Sequence, residues 1–485
     1  MKNSDFRTHA HELVDWMADY LEHVGTYPVR SAASPRSVIR QIPELPPVEG
    51  EQFDALFRDF KSIILPGITH WQSPAFFGYF PANSSPPSVL AEMLTATLGA
   101  QCMSWITSPA ATELEERMME WLRAMTGLPA EFTGVIQDTA STATLCAILT
   151  AREAASKYTV NQMGFAPSMR FTCYASTEAH SSIEKAIKIA GLGRESLRKI
   201  PVDRTFAMLP QEFEKKVRED QEHGYTPLCA IAALGTTGST AIDPLRAIGE
   251  ICKRHTLWLH VDAAHAGSAL ILPEKRWMMD GIELADSFVF NPHKWLLTNF
   301  DCSAYFVRDV EALVRTFEIL PEYLKTSEPE RVNNYRDWGI QLGRRFRALK
   351  LWFVIRSYGT RGLQEKLRHH LALAAAQAER IRTSIDFELL APVPLNTLCF
   401  RYHPVGVDDE EELNRINAEL LEHINRTGKA FLTHTKLQGA FTIRMVVGQT
   451  EVQEAHVAAA WDLLQTIART LAHPASQPSP INDQR

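Results

Sequence analysis

LWLHVDAAHAG, residues 257–267, is a short apolar run that ends in an acid, Asp262, and passes at once into small and polar residues. Such a run reads as a buried strand of a parallel sheet, with Asp262 near its carboxyl end. Three other runs have the same form: 171–175 before STEAHSS, 228–234 before GTTGST, and 287–290 before NPHKW. Helical stretches alternate with them from about 110 to 310, which predicts a mostly parallel α/β sheet with crossover helices. Ligands of open α/β sheets sit beyond the carboxyl ends of the strands. Four polar loops at four strand ends therefore converge on one candidate site.

Outside this region the chain is harder to close on itself. Phe6, Leu13, Val14, Met17, Tyr20 and Leu21 follow helical spacing until Gly25 and Pro28 stop the helix. A second short helix, 51–65, follows the proline-rich PELPPVEG. These first ~80 residues cannot enclose a core alone. A neighbouring subunit is a natural partner for the exposed apolar helix. Residues 340–385 read as helical, a smaller α+β segment runs to about 470, and the Pro/Ser-rich tail has no packing pattern. The expected division is an N-terminal helical dimerisation segment (1–84), a large cofactor-binding domain (85–375), a small C-terminal domain (376–472) and a disordered tail (473–485).

Composition narrows the function. Of 485 residues, 45% are hydrophobic and 22% charged, as in ordinary globular proteins. A net charge of −7 argues against a general nucleic-acid binder, which needs clustered Lys and Arg. The run Arg344-Arg345-Phe346-Arg347 reads as a helix face or subunit contact rather than a phosphate-backbone patch. Seven scattered cysteines form no CxxC pair, so neither a disulfide framework nor a zinc ribbon is legible, and a reducing compartment fits. No stretch reaches the ~18 apolar residues of a membrane span and no signal-peptide core precedes the fold. The expected location is the cytoplasm.

The loops carry a specific chemistry. A carboxylate at the position of Asp262 is costly to bury without a cationic partner, and a pyridinium nitrogen is one. Lys294, in Asn291-Pro292-His293-Lys294-Trp295, lies where partial desolvation frees an amine to form a Schiff base with an aldehyde. Thr139, Ala140 and Ser141 open a helix with hydroxyls and free N–H groups, as a phosphate monoester requires. His180 lies beyond a strand, where its ring can stack on an aromatic cofactor, and Thr237 can offer it a hydroxyl. Together these describe pyridoxal 5'-phosphate (PLP). Each residue alone also has an ordinary explanation: helix capping for Asp262 and Thr139, a solvated charge for Lys294, a structural role for His180 and Thr237. A rival reading takes His260, Asp262 and His265 as the ligands of a metal-dependent hydrolase. It leaves Lys294 and Thr139 unexplained, and no metal is expected.

With these residues in place, the sequence resembles the group II PLP-dependent decarboxylases, and within them the aromatic-L-amino-acid decarboxylases. HWQSPAFFGYFPA, SWITSPAATELE, GVIQDTAS, AHSSIEKA, LWLHVDAAHAGSA, FNPHKWLLTNFDCSA, PEYLK and LGRRFRALKLWF carry the likeness. It implies PLP-dependent transferase fold type I, the aspartate-aminotransferase-like fold, in a homodimer whose N-terminal helices wrap over the partner and whose active site lies at the subunit interface. By matching position, Lys294 binds the cofactor aldehyde, Asp262 pairs with the pyridine nitrogen, His180 stacks on the ring and Ala264 packs on its other face. Thr139, Ala140, Ser141 and Asn291 hold the phosphate, with Thr237 and His293 near the cofactor. Tyr323, in PEYLK, matches the tyrosine that reprotonates Cα; aldehyde synthases, which couple decarboxylation to oxidative deamination, carry phenylalanine there. The polar loop around it, with two prolines, suits a lid that closes over substrate.

The resemblance also places Trp71, Tyr79, Phe80, Pro81, Ala82, Gln101, Met103, His180, Leu342 and Gly343 in the substrate pocket. Ala82, Gln101 and Met103 depart from the residues usual there, which puts a catecholamine preference in doubt. Gly343 matches a position where glycine accompanies indolic substrates and serine phenolic ones. The expected reaction is decarboxylation of tryptophan to tryptamine, with phenylalanine, tyrosine and DOPA as further candidates.

Overall fold

The structure, a computed structural model, describes residues 2–319 and 332–472. Its main sheet has seven strands: β1 (Thr133–Gln137), β2 (Phe171–Ser176), β3 (Leu197–Ile200), β4 (Thr226–Ala233), β5 (Trp258–Asp262), β6 (Ser287–Phe290) and β7 (Ser303–Val307). The order is β1-β7-β6-β5-β4-β2-β3, and only β7 runs against its neighbours. The four expected strands are present within two residues of their expected ends. Every residue of β2, β6 and β7 is buried, which is why these strands read as continuous apolar runs rather than alternating ones. Helices cover both faces. Leu245, Ile248, Met278, Phe288, Phe290 and Trp295 belong to one core cluster, and Leu145, Ile148, Ala175, Ile183 and Ile231 to another.

The chain divides into two compact units, one of residues 82–371 with 391–395, the other of 1–81, 372–390 and 396–485. The second unit contains a four-stranded antiparallel sheet, β8 (Phe387–Leu389), β9 (Thr397–Tyr402), β10 (Thr433–Leu437) and β11 (Ala440–Val446), in the order β10-β11-β9-β8. The N-terminal segment finds an intrachain partner there. Val29 N–H donates to Gly428 C=O at 2.7 Å, and Phe76 pairs with Phe431, their rings 5.3 Å apart. The first helix, Asn3–His23, packs Trp16 on Phe57 and Phe60 yet has no buried residue of its own.

Two expectations need correction. Residues 340–346 are not helical; the helix is Arg347–Arg382, broken at Gly359, whose φ of 65° only glycine adopts readily. The run Arg344-Arg345-Phe346-Arg347 therefore makes no helix face, because only Arg347 is helical. Arg344 is buried against Glu115 at 2.6 Å and Arg347 against Asp301 at 3.1 Å, while Arg345 reaches Glu92 at the surface. Among the described residues no helix is long and apolar enough to cross a membrane.

Candidate active site

The carboxyl ends of β5 and β6 are laced together by backbone hydrogen bonds. Ala264 N–H donates to Asp262 Oδ1 at 3.0 Å, Asn291 N–H donates to Ala264 C=O at 3.0 Å, and Lys294 N–H donates to Asn291 C=O at 2.9 Å. Ser303 Oγ donates to Asn291 Oδ1 at 2.7 Å, fixing which edge of that amide faces the site. Pro292 stands at the first position of the short helix Pro292–Trp295, where a missing N–H costs nothing. The lysine is half-buried, and Trp295 behind it is fully buried. The indole lies parallel to the ring of His265 at 4.8 Å and donates from Nε1 to His370 Nδ1 at 2.9 Å. Leu297, at φ 53°, is held in a conformation unfavourable for leucine while its carbonyl accepts from Ser85 Oγ at 2.7 Å.

At the end of β1, Thr139 caps the helix Ala140–Ala155. Ser141 is exposed in its first turn, so hydroxyls and N-terminal N–H groups face the same space. Asp138 Oδ1 accepts from Thr139 N–H at 2.6 Å, and Ser303 Oγ lies 3.4 Å from the Asp138 carbonyl, which brings this loop beside Asn291.

His180 ends the loop after β2. Ser182 N–H can only donate, and it reaches His180 Nδ1 at 3.2 Å; the neutral ring therefore carries its proton on Nε2. Burial lowers the pKa of His180, Asp262 opposes the shift and Lys294 adds to it, so the three groups share one electrostatic environment. His293 is pushed down to about 3, by burial first and then by Lys294. Its Nδ1 accepts from Cys302 N–H at 2.9 Å. In the turn after β4, buried Thr236 accepts from Ala241 N–H at 3.0 Å, which leaves Thr237 exposed. The hydroxyl expected to be available is the second of the pair.

The metal reading fails on geometry. Both ring nitrogens of His260 are engaged, Nε2 with Thr144 Oγ1 at 3.2 Å and Nδ1 with Ser287 Oγ at 2.9 Å, while His265 stacks on Trp295. Among the described residues the one group of three metal-ligating side chains within reach of each other is His9, Glu12 and Asp54, far from this chemistry in sequence.

The expected substrate residues divide between the two units. Trp71 stacks on Tyr79 at 5.5 Å and Phe80 lies under the Arg444 guanidinium at 5.4 Å, with Pro81 next in sequence. In the other unit, which also holds Ala82, Gln101 Oε1 accepts from Arg344 N–H at 2.7 Å, and Met103 C=O accepts from Arg336 N–H at 2.8 Å. A Cβ added to Gly343 would lie 3.3 Å from Gln101 Nε2. Leu342 is exposed beside it. Tyr323 lies outside the described residues. Sequence reasoning missed Ser303, Asp138 and Trp295's partner His370, because each acts through a contact distant in the chain.

An amine, a carboxylate and a helix N-terminus with hydroxyls, gathered at the ends of parallel strands, fit the aldehyde, ring nitrogen and phosphate of PLP. Fold and site define a PLP-dependent enzyme of fold type I. Residues 35–403 match the family model for the pyridoxal-dependent decarboxylase conserved domain. Tyrosine decarboxylase 3 of Petroselinum crispum is 41% identical, over 99% of this chain and 95% of its own. Phenylacetaldehyde synthase of Arabidopsis thaliana is also 41% identical, over 98% of each chain. A crystal structure of Oryza sativa TDC with PLP and tryptamine superposes with a TM-score of 0.94 at 35% identity, covering 97% of this chain and 99% of that one. The chain belongs to the pyridoxal-dependent decarboxylases, in the aromatic amino acid group, and is a carboxy-lyase that uses PLP.

Proposed function

We propose that this chain converts an aromatic L-amino acid, L-tryptophan by preference, to the corresponding amine and CO2. The observation that carries the reading is the hydrogen-bonded path from the Asp262 carboxylate to the Lys294 backbone N–H, which places both residues at neighbouring strand ends, where each acts on the electrostatics of His180. Bound PLP supplies an electron sink for the pair left when the Cα–carboxylate bond breaks. Lys294 holds the cofactor aldehyde and Asp262 keeps the ring nitrogen protonated. His180 and Ala264 flank the ring, Thr139, Ala140, Ser141 and Asn291 hold the phosphate, and Thr237 and His293 adjoin the cofactor. Tyr323 delivers the proton to Cα. Of the residues that the resemblance assigns to the substrate's aromatic side chain, Trp71, Tyr79, Phe80 and Pro81 belong to one unit and Ala82, Gln101, Met103, His180, Leu342 and Gly343 to the other. The missing side chain at Gly343 supports an indole, since a Cβ there would crowd Gln101.

Amine and aldehyde formation are not separated by overall identity, since a synthase and a decarboxylase match equally well. Tyr323 supports the amine. A homodimer with its active site at the subunit interface is supported by the helix Pro86–Leu98, which leaves Leu90, Leu94 and Leu98 exposed along one stripe, and by the unburied first helix. Seven free, buried cysteines support a reducing cytoplasm. The test is CO2 and amine release from tryptophan, tyrosine, phenylalanine and DOPA, with glutamate and histidine as controls. Tryptophan as the best substrate supports the proposal; release only from a control amino acid overturns it.

A further inference from the structure

The segment from Trp338 to Arg344 is a strap without helical or strand pairing, tied at both ends. Gln137 Nε2 donates to Trp338 C=O at 3.0 Å at one end; Arg344 donates to Gln101 and accepts from Cys102 N–H at 3.0 Å at the other. Between these ties, Gln341 Nε2 donates to Asp138 Oδ2 at 3.1 Å. The same carboxylate takes Thr139 N–H, and lies 3.3 Å from Thr139 Oγ1, through its other oxygen. Gln341 is exposed, so packing does not dictate its side chain. One carboxylate thus spans two segments, the loop at the N-terminus of the helix Ala140–Ala155 and the strap that carries Leu342 and Gly343.

We propose that Asp138 and Gln341 are a pair of positioning residues that couple the Thr139 loop to this strap, so that cofactor retention and substrate fit depend on one shared clasp. The inference rests on the reading of 139–141 as the phosphate loop and of Leu342 and Gly343 as substrate contacts. Oδ1 fixes the loop and Oδ2 fixes the strap; losing the second bond frees the strap and removes a restraint on the carboxylate that orders the loop. Neither residue touches the reacting atoms, so the effect falls on binding.

The experiment uses the full-length holoenzyme. Gln341→Glu places two carboxylates face to face and is expected to raise both the PLP dissociation constant and KM for L-tryptophan about fivefold, with kcat little changed. Adding Asp138→Asn reverses the polarity of the bond: Asn Oδ1 still accepts from Thr139 N–H, while Nδ2 donates to the new glutamate. The double variant is expected to return both constants to near wild type. Equal PLP retention in wild type and Gln341→Glu overturns the clasp, as does a loss that Asp138→Asn fails to restore. If Gln341→Glu does not fold, Gln341→Leu replaces it, with the same expected losses and the same overturning result. Ser141→Ala is the control on the underlying reading. An unchanged PLP dissociation constant in that variant removes the phosphate-loop assignment itself, whatever the clasp variants do.

Discussion

Asp262 and Lys294 are joined by a path of three hydrogen bonds through Ala264 and Asn291, which runs from the Asp262 carboxylate to the Lys294 backbone N–H and so fixes the acid relative to the main chain that carries the lysine. Asp262→Asn keeps the acceptor for Ala264 N–H and loses only the charge. The variant is expected to fold and to bind PLP with a visible absorption band, while kcat for decarboxylation falls on the order of 100-fold or more. Retained turnover, measured as CO2 release, contradicts the assignment of Asp262 to the ring nitrogen.

Gly343 and Gln101 give the substrate argument its measurable form. A serine at 343 puts its Cβ at the tight 3.3 Å from Gln101 Nε2 and adds a hydroxyl beyond it. Gly343→Ser is expected to lower the ratio of kcat/KM for tryptophan over tyrosine about tenfold, a difference of roughly 1.4 kcal/mol. An unchanged ratio removes the case for an indole.

Glu115 holds the strap from beneath. Its two oxygens pair with Arg344 at 2.6 and 3.1 Å, and one also accepts from Ile136 N–H at 2.9 Å. Glu115→Ala leaves a guanidinium buried with its ion-pair partner gone, which costs about 3–5 kcal/mol. The expected readout is a lower midpoint of urea denaturation; an unmoved midpoint shows that water replaces the carboxylate.

Much of this site is legible because its chemistry is local. His180, Thr237 and Lys294 each follow a buried strand within a few residues and Asp262 ends one, so an apolar run and a polar loop announce them together, while Thr139 is legible as the opening of a helix. The contacts that orient them are not local. Ser303 reaches Asn291 from a strand running the other way, and Asp301 and Glu115 pair with arginines that read in sequence as a helix face or subunit contact. Residues 340–346 read as helix because their apolar spacing continues into Arg347–Arg382, whereas Gln101 and Asp138 hold this part of the strap open.

His260 supplies a pH test. Burial lowers its pKa from the ordinary 6.5 to about 4, so the folded protein holds it neutral. The unfolded chain binds the proton first as pH falls, and stability present above pH 6.5 is lost progressively down to about 4. His260→Gln is therefore expected to show a smaller fall in Tm between neutral pH and pH 5 than the wild type. Equal falls contradict a neutral buried imidazole between Thr144 and Ser287.

The central claim is decarboxylation with reprotonation of Cα, and its most direct measurement is product stoichiometry. Purified holoenzyme given L-tryptophan in air-saturated buffer is expected to release CO2 and tryptamine in equal amounts, and Tyr323→Phe is expected to divert product to the aldehyde with ammonia, consuming one O2 and one water and releasing one H2O2 per aldehyde. Aldehyde from the wild type, or unchanged amine yield from Tyr323→Phe, contradicts the account.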